Sequence, residues 1–416
     1  MRQSELFLKT QREFPKDEVA INAQLLIRAN FIHKLMAGVY SLLPLGFLVR
    51  EKIIKIVRAE MNKLGAEMIM PALHPKAVWE ATGRWETMGK VMYQFKNHGG
   101  QEIGLGPTHE EIITEIAKPI INSYENLPLA IYQIQTKFRD EERPKSGLLR
   151  GREFTMKDLY SFHADQASLE EYYEKVKAAY QVIFKNCGLK SYVTEASGGD
   201  FSKYSHEFMV ESAAGEDEIL LCRLCAWAQN KEIAEVKAGD HCPKCQSGVL
   251  DKVNAIEVGN IFKLGTRFSE PVGLVYKDKN GVNHPVIMAS YGIGIERLIG
   301  TIVETHHDEK GILWPEATAP AKVHLLLIGE AKAELKKSAE KIYNGLVKEE
   351  VEVLYDDREN VSAGEKFADA DLIGLPFRVI VSEKTLAQDK VEIKKRNEKE
   401  AKLVKIGDLN KALNNN

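Results

Sequence analysis

The stretch of sequence that decides the fold is Lys137-Phe138-Arg139-Asp140-Glu141-Glu142-Arg143-Pro144, followed by Arg150-Gly151-Arg152-Glu153-Phe154. It predicts a strand that ends in an Arg-x-Glu pair, a charged loop, and an Arg-x-x-x-Phe segment that leads into a second strand. Guanidinium groups bind phosphate oxygens bidentately, and an aromatic ring stacks on a base. A ligand the size of ATP needs both. For the loop alone, a solvated charged hairpin is the alternative.

A second constellation lies downstream, in Ser290-Tyr291-Gly292-Ile293-Gly294-Ile295-Glu296-Arg297. It predicts a strand that turns through Gly292 and Gly294 into a helix, with Arg297 on the first helical turn. Two glycines let the backbone approach a ligand closely. One Gly-x-Gly is weak support, because glycines occur at many strand–helix junctions. Together with the Arg-x-Glu loop and a helix–strand element that ends at Pro71, it indicates a nucleotide site.

Hydrophobic periodicity outlines the rest of the chain. It predicts helices over 17–37, 47–64 and 168–187, the last with a capping box at Ser168 and Glu171. A short strand is expected over 66–71, and three longer strands at Leu129–Gln135, Glu257–Leu264 and Val286–Ser290. Strands joined by irregular loops favour an antiparallel sheet with flanking helices over a βαβ repeat. The fold class is therefore α+β.

The last hundred residues or so have the pattern of a separate α/β domain. Strands are predicted at Val323–Ile328, Val351–Leu354 and Phe377–Val381, and helices at 331–347 and 363–373. The segment 316–320 is the expected linker.

Composition limits the function classes. The chain has 416 residues and a formal net charge of −3, so nucleic-acid binding requires local basic surface. No apolar run approaches the roughly 18 residues that cross a bilayer. The first residues lack signal-peptide and transit-peptide character. We therefore expect a cytoplasmic protein without membrane association.

Four of the five cysteines form two Cys-x2-Cys pairs, 16 residues apart: Cys222, Cys225, Cys242 and Cys245. This spacing predicts a tetrahedral zinc ribbon. Four unpaired thiols are the alternative. A structural ion is expected, because four thiolates leave no open position for a substrate.

The two constellations and the upstream helix–strand element resemble motifs 2, 3 and 1 of class II aminoacyl-tRNA synthetases. More closely, the chain resembles the bacterial prolyl-tRNA synthetases from Met1 to its C-terminal part. The resemblance rests on Gly106-Pro107-Thr108-His109-Glu110-Glu111, Tyr132–Glu141, Arg150–His163, Ser205-His206-Glu207-Phe208, Glu257–Phe262, and Asp356-Asp357-Arg358 in the anticodon-binding part.

The resemblance implies roles in the reaction of proline with ATP. Arg139 would hold the proline carboxylate and the α-phosphate, and Glu141 would bind the adenine amino group. Phe154 and Arg297 would stack on the two faces of adenine. Arg150 and Arg297 would hold the γ-phosphate, with Mg²⁺ neutralising the polyphosphate. The sequence does not identify the magnesium ligands.

The same resemblance implies the proline pocket. Thr108 and Glu110 would bind the secondary ammonium group, and His206 and Phe208 would line the pocket. Many relatives have Cys-Tyr-Gly where this chain has Ser290-Tyr291-Gly292, so selectivity at that wall is open.

The implied domains are a catalytic domain over 1–217 and 257–316, a ribbon insert over 218–256 and an anticodon-binding domain over 321–416. The 39 residues of the insert match the family's short form, which lacks an editing domain. A homodimer, tRNA(Pro) and a free-standing deacylase are the implied partners. Lys394-Lys395-Arg396 is the candidate tRNA phosphate contact, with a solvated hairpin tip as the alternative.

Two alternatives stay open. The first is a class II synthetase for another amino acid such as threonine, although threonyl enzymes usually hold a catalytic zinc through a histidine. The second is a non-catalytic regulator that binds tRNA or an amino acid. Such a paralogue would be expected to lose ATP-contacting arginines, yet Arg139, Arg150 and Arg297 are all present.

Overall fold

The computed structural model describes residues 1–199, 201, 204–329 and 333–414. The chain forms two compact units. The larger consists of Met36–Val39 and Ile53–Thr301, and the smaller of Met1–Leu35, Tyr40–Lys52 and Ile302–Asn416. Within the described ranges, no helix is both long and apolar enough to span a bilayer.

The described part of the larger unit contains a nine-stranded sheet. Its strands, in spatial order, are Tyr204–Glu211, Ser191–Ser197, Ala228–Asn230, Asp217–Cys222, Leu250–Gly265, Ile287–Gly294, Glu153–His163, Leu129–Phe138 and Ala66–Glu67. Neighbouring strands are antiparallel except at Ala228–Asn230 with Ser191–Ser197 and at Ala66–Glu67 with Leu129–Phe138. The predicted antiparallel sheet is confirmed. The strand predicted over 66–71 is shorter than expected.

The sheet register brings the two sequence constellations together. Glu153–His163 pairs on one side with Leu129–Phe138 and on the other with Ile287–Gly294. Phe154 lies opposite Lys137, and Gly292 lies opposite Asp158. The predicted junction is confirmed, because the helix Ile295–Thr305 begins directly after the strand.

Helices and small sheets occur along the chain between the strands of the large sheet. The other helices from residue 44 to residue 272 are Pro44–Met61, Lys76–Glu80, Arg84–Thr87, Glu110–Ala117, Gln166–Asn186 and Ser269–Val272. Leu73–Pro75, Gln94–Lys96 and Glu102–Leu105 form a three-stranded sheet, and Val275–Lys277 pairs with Asn283–Pro285. Gln166–Asn186 begins earlier than predicted, because the side chain of Asp165 accepts a hydrogen bond from Ser168 N at 2.8 Å and caps the helix. The prediction of a capping box at Ser168 and Glu171 was wrong.

The predicted helix over 17–37 was also wrong. The helix covers only Ile21–Arg28, and the strands Ile32–Met36 and Val39–Leu42 pair after it. Asn30 takes a φ of +60°, in the left-handed region that ends a helix. Gly38, at +76°, makes the turn between the strands. The apolar residues that are spaced as in a single helix therefore belong to two successive elements, a helix and a strand.

The smaller unit has a five-stranded sheet in the order Val353–Asp356, Val323–Ile328, Phe377–Ser382, Lys390–Lys395 and Lys402–Lys405. Its first three strands are parallel and the last two antiparallel. The unit also contains the strand pair His307–Asp308 and Gly311–Ile312, and the helices Ala333–Lys348, Ala363–Ile373, Glu383–Leu386 and Leu409–Asn414. The predicted α/β pattern is confirmed. Residues 331 and 332 of the predicted helix over 331–347 lie outside the described residues.

Candidate active site

A cavity of about 370 Å³ lies over the central strands of the larger unit. It is lined by most of the site residues predicted from the sequence, namely Thr108, Glu110, Arg139, Glu141, Arg150, Phe154, Ser290, Gly292, Gly294 and Arg297. We call the part around Arg139, Phe154 and Arg297 the arginine end. The part around Thr108, Glu110 and Ser290 is the carboxylate end.

At the arginine end, backbone hydrogen bonds fix the position of two guanidinium groups. Arg139 Nε donates to Pro107 O at 3.4 Å, and the Arg139 guanidinium lies 5.2 Å from the centre of the Phe154 ring. Arg297 Nε donates to Leu149 O at 2.9 Å, and its Nη1 lies 3.0 Å from Glu257 Oε2. Burial, and next the charge of Arg297, lower the pKa of Arg139. Because Arg139 and Arg297 are neighbouring cations, this end of the cavity favours binding of a polyanion.

Arg150 and Glu141 form an ion pair at the mouth of the cavity. Arg150 Nε donates to Glu141 Oε2 at 3.0 Å, and Arg150 Nη1 donates to Glu216 Oε2 at 3.3 Å. Arg150 is exposed, so solvent and a ligand both reach its guanidinium. This pair sets the position of the carboxylate that was predicted to bind adenine.

Acidic residues lie beside the arginines. Glu216, Asp217 and Glu257 line a smaller cavity together with Arg139 and Arg297. Burial, and next the charge of Glu257, raise the pKa of Asp217. Carboxylate oxygens of this kind are the ligands that Mg²⁺ prefers in proteins.

The carboxylate end is enclosed and polar. Thr108 Oγ1 donates to Glu110 Oε2, and Glu110 is 4% exposed. Ser290 is buried on the strand Ile287–Gly294. Tyr160 donates its hydroxyl hydrogen to Asp158 Oδ2 at 3.0 Å, and both residues line the cavity. A buried carboxylate with hydrogen-bonding neighbours is suited to bind an ammonium group.

His206 and Phe208 lie outside this cavity, contrary to the expectation from the resemblance. Both face the helix Gln166–Asn186, because alternate residues of a strand share one face. The ring of Phe208 is fully buried and lies 5.1 Å from the ring of Tyr180. His206 Nδ1 lies 2.9 Å from the Tyr173 hydroxyl. Burial is the main cause that lowers the pKa of His206.

Sequence reasoning missed several residues that line the cavity. Asp158 and Tyr160 have the same strand parity as Phe154, so period-2 alternation from Phe154 would have found them. Arg84 and Phe201 also line the cavity but come from distant segments. No local sequence pattern marks either residue.

The four paired cysteines lie together, as the spacing predicts. Their Sγ atoms are all within 4.8 Å of one another. Cys222 Sγ is 3.7 Å from Cys245 Sγ, and Cys225 Sγ is 3.6 Å from Cys242 Sγ. Four thiolates at about 2.3 Å from a tetrahedral zinc would lie about 3.8 Å apart, so the cluster has metal-site dimensions. The backbone N–H groups of Gly248 and Ser247 lower the pKa of Cys245 to about 6, which favours the thiolate.

Fold and site define a class II aminoacyl-tRNA synthetase. Residues 93–306 match the tRNA synthetase class II core domain (G, H, P, S and T), and residues 322–416 match an anticodon binding domain. A crystal structure of Cryptosporidium parvum prolyl-tRNA synthetase, complexed with halofuginone and AMPPNP, has the same fold. Its TM-score is 0.79 at 20% identity, over 95% of this chain and 77% of that chain.

Within this class, the chain belongs to the proline–tRNA ligase family. It is 35% identical to the proline–tRNA ligase of Halothermothrix orenii, over 95% of this chain and 96% of the relative. It is 34% identical to that of Syntrophus aciditrophicus, over 99% and 97%. The first alignment spans 546 positions against the 416 residues of this chain, so at least 130 positions of the relative have no counterpart here.

Proposed function

We propose that this chain activates proline with ATP and transfers it to the 3′ end of tRNA(Pro). The observation that carries the proposal is one cavity with two guanidinium groups beside Phe154 at one end and the buried Glu110 carboxylate at the other. The nucleotide site and the ammonium site therefore lie at the two ends of one cavity, close enough for the two substrates to react. Family membership supports the choice of proline.

The reaction requires positioning more than covalent chemistry. The proline carboxylate attacks the α-phosphorus, and pyrophosphate leaves. The 3′-terminal ribose hydroxyl then attacks the acyl carbon, and AMP leaves. Arg139 would hold the proline carboxylate and the α-phosphate while Glu110 and Thr108 hold the ammonium. Phe154 and Arg297 would stack on adenine.

The remaining nucleotide contacts follow from the mouth of the cavity. Arg150 would bind the γ-phosphate, and Glu141 would bind the adenine amino group. Gly292 and Gly294 would let the backbone approach the nucleotide. Asp217 and Glu257 would hold Mg²⁺, which neutralises polyphosphate charge when bound.

The experiment that tests the function is proline-dependent exchange of pyrophosphate into ATP, repeated with each of the twenty amino acids. Exchange with proline above all others is expected. Exchange that depends on another amino acid would favour a different class II specificity. Nucleotide or tRNA binding without any exchange would favour a non-catalytic regulator.

We further propose the domain limits, partners and location given by the sequence. The catalytic domain would cover 1–217 and 257–316, and residues 321–416 would bind the anticodon loop in a cytoplasmic enzyme. Lys394 and Lys395 are the better candidates for phosphate contacts, because both Nη atoms of Arg396 lie 2.7 Å from Asp308.

A homodimer is proposed through the surface that follows the helix Pro44–Met61. Ile69 and Leu73 are 73% and 55% exposed there, so their apolar side chains are accessible to a second chain. Sedimentation of the purified protein at micromolar concentration would show the mass of two chains. A single-chain mass under those conditions would contradict the proposal.

For the ribbon 218–256, we propose one structural zinc ion bound by the four cysteines. Purified protein is expected to contain about one zinc per chain. Cys245→Ser should lower thermal stability while leaving the exchange rate of the remaining folded enzyme unchanged. Zinc-free protein with four freely titrating thiols would contradict the site.

We also propose that the chain does not hydrolyse mischarged alanyl-tRNA(Pro). Alanine enters any pocket that admits proline, and the two missing carbons limit discrimination to roughly 10²–10⁴. A free-standing deacylase would then be the partner that corrects errors. Purified enzyme should leave preformed alanyl-tRNA(Pro) intact, at the rate of a control without enzyme. Faster hydrolysis would reveal an editing site.

A further inference from the structure

Behind the carboxylate end, one buried guanidinium group is hydrogen-bonded to one carboxylate and lies near a second without a hydrogen bond to it. Arg84 Nη1 lies 2.7 Å from Glu111 Oε1 and 3.8 Å from Glu110 Oε2. Thr82 Oγ1 also donates to Glu111 Oε1, at 3.0 Å. Glu111 is fully buried, and its Oε2 has no hydrogen-bond partner among the described residues. Arg84 lines the cavity, so this charge lies next to the substrate space.

The charges at this end leave a place for one more cation. Glu110 and Glu111 carry two negative charges when ionised, and Arg84 supplies one positive charge. A substrate ammonium would complete the balance at Glu110, but only while Arg84 stays with Glu111. If the guanidinium moved to Glu110, it would compete with the substrate for the same carboxylate.

We propose that Glu111 is a positioning residue for amino-acid binding: it holds Arg84 away from Glu110, whose carboxylate then stays free for the secondary ammonium of proline. The inference rests on the proposed function and adds a residue that touches no substrate.

The Arg84 guanidinium lies among three aromatic rings. The guanidinium carbon lies 5.2, 5.2 and 5.3 Å from the ring centres of Trp79, Phe201 and Phe268. Flat aromatic faces attract a cation without fixing its direction as a carboxylate does. Reorientation from Glu111 towards Glu110 would therefore keep these contacts.

Protonation of Glu111 should act in the same way as its replacement. Burial, opposed by Arg84 and reinforced by Glu110, raises the pKa of Glu111 to about 7. The other charged groups near Glu110 are Arg139, which would bind the substrate carboxylate, and Lys137 and Asp158, which pair at 2.8 Å on the strands below. Below about pH 7, a neutral Glu111 would release Arg84, and proline binding would weaken.

The test compares Glu111→Gln with the double variant Arg84→Met/Glu111→Gln. Glu111→Gln should raise KM for proline about tenfold and leave KM for ATP unchanged, since one charged hydrogen bond to substrate is lost. The double variant removes the competing guanidinium and should restore KM for proline to within about threefold of the wild type. Methionine is chosen because a flexible thioether packs well among aromatic rings.

Glu115→Gln, on the same helix but partly exposed, is the matched control and should change neither KM. Far-ultraviolet circular dichroism and thermal melting identify variants that fail to fold. In the wild type, kcat/KM for proline should fall below about pH 7, and in the double variant this fall should be absent.

Three results would overturn the inference: a double variant no better than Glu111→Gln, an equal rise in KM for ATP, or a double variant that keeps the pH dependence. A wild type without proline-dependent exchange would overturn the proposed function instead. If the double variant does not fold, Arg84→Lys/Glu111→Gln takes its place. It must then keep a raised KM for proline, because a cation remains near Glu110.

Discussion

The two ends of the cavity are built in different ways. At the arginine end, Arg139 and Phe154 lie at the ends of paired strands, and Arg297 lies on the first turn of the helix that continues a third strand. At the carboxylate end, Arg84 comes from a four-residue helix and Glu110 from the start of another. Sheet register positions the first set, and pairing of buried charges positions the second. Substitutions should therefore change the chemistry at one end and substrate binding at the other.

The largest effect is expected from Arg139→Ala and Arg297→Ala. Each variant lacks a cation that stabilises the negative charge redistributed during adenylate formation. The activation barrier should rise by about 3–4 kcal/mol, which lowers the rate by roughly 10²–10³. Proline-dependent pyrophosphate exchange measures the loss. Arg223→Ala, an exposed arginine of the ribbon that pairs with Glu211 and Asp251, is the matched control. Rates within about tenfold of the wild type in both active-site variants would contradict the assignment.

The next largest effect tests whether Phe208 belongs to the proline pocket or to the hydrophobic core. Phe208→Ala should cost about 3–4 kcal/mol of unfolding free energy, because a fully buried ring is lost from the contact with Tyr180 and Phe184. In the folded fraction, KM for proline should change by less than about threefold, which corresponds to under 1 kcal/mol. Urea denaturation and exchange kinetics give the two numbers.

His206→Ala tests the same distinction between pocket and core, with a smaller expected loss of stability. It removes the hydrogen bond to Tyr173, worth about 1 kcal/mol, and should leave KM for proline nearly unchanged. A rise of tenfold or more in that KM, for either variant, would return both residues to the pocket and break the distinction drawn between the two ends.

The difference between the ends also explains what the sequence could predict. The Arg-x-Glu loop and the Gly-x-Gly junction are local patterns, so the arginine end and the central strands were predicted from them. At the carboxylate end, Thr108, Glu110 and Ser290 were named from the family resemblance. The contact of Arg84 with Glu111 behind them joins distant segments, and no local pattern records such a contact. His206 was assigned by resemblance, which fixes the strand but not the direction of the side chain.

In the fold, the errors have the same origin. The helix predicted over 17–37 follows a real apolar spacing, but the left-handed Asn30 divides the segment into a helix and a strand. The strands Lys390–Lys395 and Lys402–Lys405 were missed because their sequences are rich in charged residues. Both are stabilised by pairing within the five-stranded sheet, which a single segment does not reveal.

The smallest effect is expected at the wall where this chain differs from many relatives. Ser290 is 5% exposed, and its neighbours across the strands are Tyr160 and Phe262. Ser290→Cys keeps the shape of the wall and makes it less polar, so KM for proline should fall by no more than about threefold, or about 0.7 kcal/mol. Alanine-dependent exchange should change less, because alanine presents less apolar surface to the wall. A change above tenfold for proline would show instead that the Ser290 hydroxyl bonds the substrate directly, and would make this wall part of the polar recognition that Glu110 provides.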